Sequence, residues 1–378
     1  MGRMETGDAV MAHAPYGKGL KRATQVERIA PNPKVIEAII WQAAYADSNN
    51  APITARMVRA QAPLLSGPTV TGQRLASWMG HPTRDALPLR LAGGLHNLHL
   101  TGRDDRLAPI YAGDLTDQAA IDGVVAAVVA EHDGALSFWL DGPPQTNEAG
   151  RSASIMAALL WLSARLGRDF ELNELGASAG INTMLDRFRF DLGGTTVGPE
   201  NSPLCLKPEW QGPPAPCAAV HIDAIRGCDQ AVVDLRDPVQ ATRLKSYVWP
   251  DAPERLARLD AAVAMAKVQP PLLDQADAGD WIAMRLSALQ RADTTRVVFH
   301  SIVWQYLPDA TQARITADIE AAGALADSTR RLAWVRLETN RTTLRHELTV
   351  RFWPGGDQAV LLGTAHAHGA WVEWLGVN

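Results

Sequence analysis

Residues 174–182 read ELGASAGIN, and two motifs compete for them. As G-x-S-x-G, Gly176 to Gly180 would be the nucleophile elbow of a serine hydrolase, with Ser178 the nucleophile. As E-x-G-x-S-x-G-x-N, the same residues form a glycine-rich turn between a strand and a helix, of the kind that holds a nucleotide-containing cofactor. On the second reading Glu174 ends the strand FELNEL, and Gly176 and Gly180 admit a ligand where a Cβ would collide. Ala177, Ser178 and Ala179 are small enough not to block it. Asn182 falls in the first turn of a helix beginning near Ile181, whose free N–H groups favour electronegative ligand atoms.

Working outward, residues 147–166 carry helical periodicity through Ile155, Met156, Leu159, Leu160, Leu162 and Leu166, with Gly167 as the stop. Further strands are expected in AAVHIDAIRGC, PPLLD, RVVFHSIVW and RLAWVRLE, with helices in PERLARLDAAVAMAKV and TQARITADIEAAGALA between them. Such alternation predicts a mostly parallel sheet covered on both faces. The chain then closes with strands around the Pro-Gly-Gly-Asp turn at 354–357 and no helix-length spacer, which predicts a terminal antiparallel hairpin.

Before the sheet the pattern is different. PKVIEAIIWQAAYAD, ITARMVRAQAPLL and QAAIDGVVAAVVAEH space their apolar residues three and four apart, which predicts a helical N-terminal domain over 31–140. Residues 1–30 are polar and aperiodic, an expected arm, and 141–378 form the expected α/β domain. The 378 residues are 47% hydrophobic and 20% charged with a net charge of −5, and no Lys/Arg run is long enough to track a phosphate backbone. A small molecule is therefore a better expected partner than nucleic acid. Three cysteines without C-x-x-C spacing suit a reducing cytoplasm. No stretch is long and apolar enough to suggest a membrane span, and oligomeric state is open.

The hydrolase reading needs sheet strands before Ser178 and an oxyanion-hole loop, but the preceding region is helical. The cofactor reading explains more residues. GASAGI lacks the G-x-G-x-x-G spacing of dinucleotide-binding folds. It resembles instead the D/E-x-G-x-G-x-G turn of class I S-adenosylmethionine-dependent methyltransferases, with Ser178 at the central glycine. PQTNEAGRSA (144–153), ELGASAGIN-x-x-LDRFRFD (174–191), VWPDAPERLARL (248–259) and HSIVWQYLP (300–308) together resemble an uncharacterised bacterial family. The resemblance implies a Rossmann-like class I methyltransferase fold, S-adenosylmethionine as cofactor and an unspecified small-molecule acceptor. A methyltransferase fold that has lost catalysis and serves as a binding protein is a second expectation.

The resemblance also places residues. Glu174, Gly176, Ala177, Ser178, Gly180 and Asn182 would line the cofactor. An acid after the second strand would take the ribose hydroxyls, Asp229 or alternatively Asp223. Asp277, after the third strand, would face the adenine amino group, unless it only caps the helix that follows. His300 and Tyr306, at the end of the fourth strand, and Glu148 are catalytic candidates, with His300 a general base or a group that holds the substrate. Asn147, Glu148 and Arg151 gather at the start of the helix before the first strand and are expected in the pocket, with Arg151 available to a carboxylate. The long segment 189–215 is expected to be an inserted hairpin or lid that closes over the acceptor. His366 and His368 share a strand face, but no third ligand is evident, so no metal site is assigned.

Overall fold

The computed structural model describes residues 32–377; the expected arm lies outside the described residues. Helices Pro33–Ser48, Pro52–Arg59, Val70–Ala76, Leu87–Leu100 and Gln118–Glu131 precede the first strand, as the periodicity predicts. Asn32 caps the first by accepting the Lys34 N–H, with Pro33 at the opening position where its missing N–H is harmless. Asp117 caps the helix Gln118–Glu131 through Ala120. Their inward residues, Ile39, Met57, Leu91, Leu95 and Val125 among them, share one apolar cluster.

This helical layer is tied to the rest by polar contacts. Asp251 accepts from Ile53 N at 2.8 Å, Thr54 N at 2.9 Å and Thr54 Oγ1 at 2.6 Å, satisfying the free donors at the start of Pro52–Arg59. Helix Leu87–Leu100 lies against helix Pro238–Ser246, where a Cβ on Gly93 would come within 2.7 Å of the Tyr247 ring.

Twelve strands follow: β1 (Asp169–Leu175), β2 (Arg189–Leu192), β3 (Thr195–Val197), β4 (Cys205–Leu206), β5 (Glu209–Gln211), β6 (His221–Asp229), β7 (Leu273–Gln275), β8 (Thr294–Ser301), β9 (Arg330–Thr339), β10 (His346–Trp353), β11 (Gly356–Ala365) and β12 (Trp371–Trp374). Nine form one sheet in the order β5-β12-β11-β10-β9-β8-β1-β6-β7. The β7, β6, β1, β8 and β9 pairings are parallel. The last three strands step outward from β9 in antiparallel succession, so the expected hairpin is part of a meander. β5 then lies parallel to β12 on the outer edge.

Every residue of β8 is buried, as a central strand covered on both faces requires. Side chains alternate between layers: Val297 and Phe299 join helix Ser152–Leu166 on one face, while Val298 meets helices Ala278–Ser287 and Asp309–Ala324 on the other. Helix Pro253–Val268 and helix Ser152–Leu166 occur where the periodicity places them.

Two expectations are corrected. No α-helix follows the glycine turn; Asn182–Arg187 is a short 3₁₀ segment, because the alternating RFDL stretch immediately begins β2, with Phe190 and Leu192 buried. The segment 189–215 is the expected hairpin, β2 pairing antiparallel with β3, and not a free lid. β2, β3 and β4 form a small sheet, and Phe190, Leu192, Leu204 and Leu206 are anchored in the main core.

Candidate functional site

The chain runs from β1 to β6 and β7 on one side, then returns to β8 and β9 on the other. That reversal makes a topological switch point between β1 and β8, whose carboxyl ends are the usual ligand position in sheets of this kind. The turn after β1 sits there, with Gly176 at φ +67°, Ser178 at +52° and Gly180 at +72°. Ser178 is thus a non-glycine residue in left-handed conformation, at a cost of about 1–2 kcal/mol. Neighbouring groups hold it there. Asp229 Oδ2 accepts the Ser178 N–H at 2.8 Å, and its Oδ1 accepts that of Ala231 at 2.8 Å. Ala177 N donates to Cys228 O at 2.9 Å, so the turn is stitched to the end of β6.

Asn147 and Asn182 complete the cradle. Asn147 Oδ1 accepts the Ile181 N–H at 2.8 Å, and Asn182 Oδ1 accepts from Ser152 Oγ at 2.8 Å. Asn182 Nδ2 donates to Glu174 Oε1 at 3.4 Å. Glu174 is 1% exposed, and its Oε2 has no hydrogen-bond partner among the described residues. Burial pushes this carboxyl up to about 8, so it is largely protonated at neutral pH.

The glycines are explained differently from expectation. A Cβ on Gly176 would lie 2.3 Å from Val303 Cγ2, and one on Gly180 would lie 2.9 Å from Leu273 and Pro271. Close approach is required here by the protein's own side chains. Ala177 is fully buried and packs beside Gly227.

Asp229, not Asp223, stands at the carboxyl edge: Asp223 is near the start of β6, where it pairs with Arg291 and His221. Asp277 caps helix Ala278–Ser287 by accepting from Gly279 N at 2.9 Å and Asp280 N at 3.2 Å, the structural role weighed for it. Tyr306 is exposed on a short 3₁₀ turn.

His300 is not placed as a free general base. It is fully buried, with Nδ1 2.6 Å from Glu338 Oε1 and Nε2 3.0 Å from the Trp334 indole N–H. The indole can only donate, so Nε2 accepts and Nδ1 carries the proton toward the carboxylate. Burial lowers the imidazole's pKa, although Glu338 opposes the shift. Ser178 Oγ, for its part, is enclosed without a partner among the described residues, so no base is positioned to activate it.

A second polar group lies on the same edge, and the sequence revealed only part of it. Glu148 is buried but caps nothing; its Oε1 is bound by Arg255 Nε at 3.1 Å and Nη2 at 2.5 Å. Arg151, also buried, donates through Nε to Ala367 O at 2.8 Å and through Nη1 to Ser301 O at 3.2 Å. His368 Nδ1 is 3.7 Å from Glu148 Oε1. Arg255 belongs to the VWPDAPERLARL stretch, where a buried arginine on an otherwise amphipathic helix was the available signal. His366 and His368 lie edge to face with centroids 5.4 Å apart, and His366 Nδ1 accepts the His368 N–H. Among the described residues, the His/Cys/Asp/Glu group with converging ligand atoms is Asp169, His221 and Asp223, at the opposite end of the sheet.

The fold and this edge define an α/β protein with a mostly parallel sheet and a buried, charged carboxyl end. The chain belongs to the family described as an uncharacterized protein conserved in bacteria (DUF2332), which it matches over residues 36–374. No curated protein and no solved structure matches it. Among the described residues no single helix is long and apolar enough to cross a membrane.

Proposed function

We propose that this protein is a methyltransferase of the class I type, binding S-adenosylmethionine at the carboxyl ends of β1 and β6 and acting on a small molecule. The observation that carries the reading is the pair of acidic side chains flanking the turn. Asp229 ends the strand next to β1 and retains lone pairs for hydroxyl groups beyond its two backbone bonds. Glu174 keeps an unpartnered buried oxygen, and as a neutral carboxyl it suits a hydroxyl-bearing ligand. Bound there, the cofactor would supply an electrophilic methyl group.

The chain's own contribution is alignment and exclusion of water. Asn147 and Asn182 fix the turn, and Arg151 ties the end of β8 to the 366–369 turn. With both His300 nitrogens engaged, the acceptor must arrive with an available lone pair or lose its proton to another group.

A thermal-shift titration with S-adenosylmethionine and S-adenosylhomocysteine tests this. A ligand at 100 times its dissociation constant adds about 2.7 kcal/mol. An unchanged Tm at millimolar ligand defeats the proposal. The packing of Val303, Pro271 and Leu273 against the glycines favours a second reading, a methyltransferase-like fold that binds without turnover. Binding of both ligands with no methyl transfer to any acceptor would select it.

A further inference from the structure

At the carboxyl edge two arginines, Arg151 and Arg258, have no ion-pair partner at bonding distance among the described residues, Glu148 and Glu338 acting on Arg151 only from further away. Three arginines converge on the segment 148–151 and the turn 366–369. Arg255 is paired with Glu148. Arg151 meets only two backbone carbonyl oxygens, and no carboxylate lies within ion-pair distance of it among the described residues. Arg258 follows Arg255 by three residues and so shares its helix face. Its Nε is enclosed without a partner among the described residues. Glu148 acts on Arg258 from beyond hydrogen-bonding distance, and Glu254 does so from an exposed position one turn earlier.

Two imidazoles, His366 and His368, lie on the turn that Arg151 binds. His368 Nδ1 is enclosed without a hydrogen bond, 3.7 Å from Glu148 Oε1, while the side chain keeps 32% of its surface. Burial first, then the adjacent Arg255, lowers the pKa of both His366 and His368, that of His368 to about 2. Each ring therefore retains one N–H donor. The two guanidinium groups without an ion-pair partner leave this edge with more donors than acceptors. Buried unpaired charge is unfavourable unless something completes it.

We propose that Arg151, Arg258, His366 and His368 bind the acidic group, carboxylate or phosphoryl, of a small-molecule ligand. The two arginines supply the charge, and the imidazoles donate to the remaining oxygens. This assignment does not depend on methyl transfer, since the anion site is separate from Asp229 and the glycine turn.

The test is a thermal-shift titration of the full chain, without S-adenosylmethionine, using inorganic phosphate and succinate against sodium chloride at matched ionic strength. A saturable rise in Tm with either anion is expected, and the stronger of the two identifies the group. Arg258→Gln should raise the midpoint concentration roughly tenfold or more, the loss of one charge-assisted bond. Without anion the variant should be as stable as wild type or more so, because it removes an unpaired charge. His368→Gln should weaken the response as well. Asp229→Ala should leave it intact, which separates failure of this site from failure of the cofactor site. Tm values that follow ionic strength alone, or an Arg258→Gln response equal to wild type, overturn the proposal.

Discussion

Asp229 and Ser178 are joined by a 2.8 Å hydrogen bond from the serine backbone N–H to the carboxylate, so the end of β6 fixes the left-handed residue in the turn after β1. Asp229→Ala removes the acceptor of both Ser178 N and Ala231 N. The expected loss is about 1–3 kcal/mol by urea denaturation, together with any S-adenosylmethionine-induced shift in Tm. A stable variant that still binds would show that the carboxylate serves the turn alone.

Ser178 itself separates the chemical readings. Ser178→Gly relieves the left-handed strain but adds unfolded-state entropy, so stability should stay within about 1 kcal/mol of wild type. Ser178→Val, branched at Cβ, should cost about 1–3 kcal/mol. Ligand binding should survive the glycine substitution. Selective loss of an esterase activity in a folded Ser178→Gly variant would instead restore the hydrolase.

Glu174 gives the protein an alkaline sensitivity. Its folded pKa is raised to about 8 from an ordinary 4.5, so in that window the folded state holds a proton that the unfolded state has released. Stability is fully present below the lower value and falls as pH rises toward the higher, by up to about 1.4 kcal/mol per unit. Glu174→Gln should remove this slope. Urea midpoints measured from pH 5 to 8.5 that decline equally in both proteins would contradict the assignment.

His300 behaves in the opposite sense. Its depressed pKa means that protonation favours unfolding, so its contribution is present above about pH 6.5 and lost as pH falls. His96, lowered to about 4 by burial, adds to the same acid limb. Glu338→Ala leaves the His300 and Val303 N–H donors without their acceptor and should cost about 2–4 kcal/mol. Glu338→Gln, which keeps an acceptor oxygen, should cost less. Activity lost in proportion to a simple histidine titration, with folding unaffected, would point instead to a catalytic imidazole.

Much of the sheet was legible because its signals are local. Pro253 opens a helix with sustained periodicity, and the unbroken VVF within TTRVVFHS marks a strand covered on both faces. The role of His300 was not legible, because it depends on register. His300 lies opposite Arg336, which puts Trp334 and Glu338 two residues to either side on the same face of β9. Gly176 is similar: its reason is Val303, from the loop after β8. ELGASAGIN placed the turn and the strand before it but not the missing helix, because the next strand's alternation begins at once. Arg151 and Glu148 were recognisable as pocket candidates. Their partners, carbonyl oxygens of Ser301 and Ala367 and the guanidinium of Arg255, come from segments that only folding brings together.

β5 pairs with β12, so a segment at residues 209–211 waits for one at 371–374. On the ribosome, the outer border of the sheet therefore stays open until residues 371–374 have emerged. Translation that stalls after β11 would leave β5 without its partner and β11 as a bare edge, an invitation to pair with other chains. The order of synthesis thus makes β12 a closing clasp between β11 and β5, and its loss would be felt first as aggregation during expression.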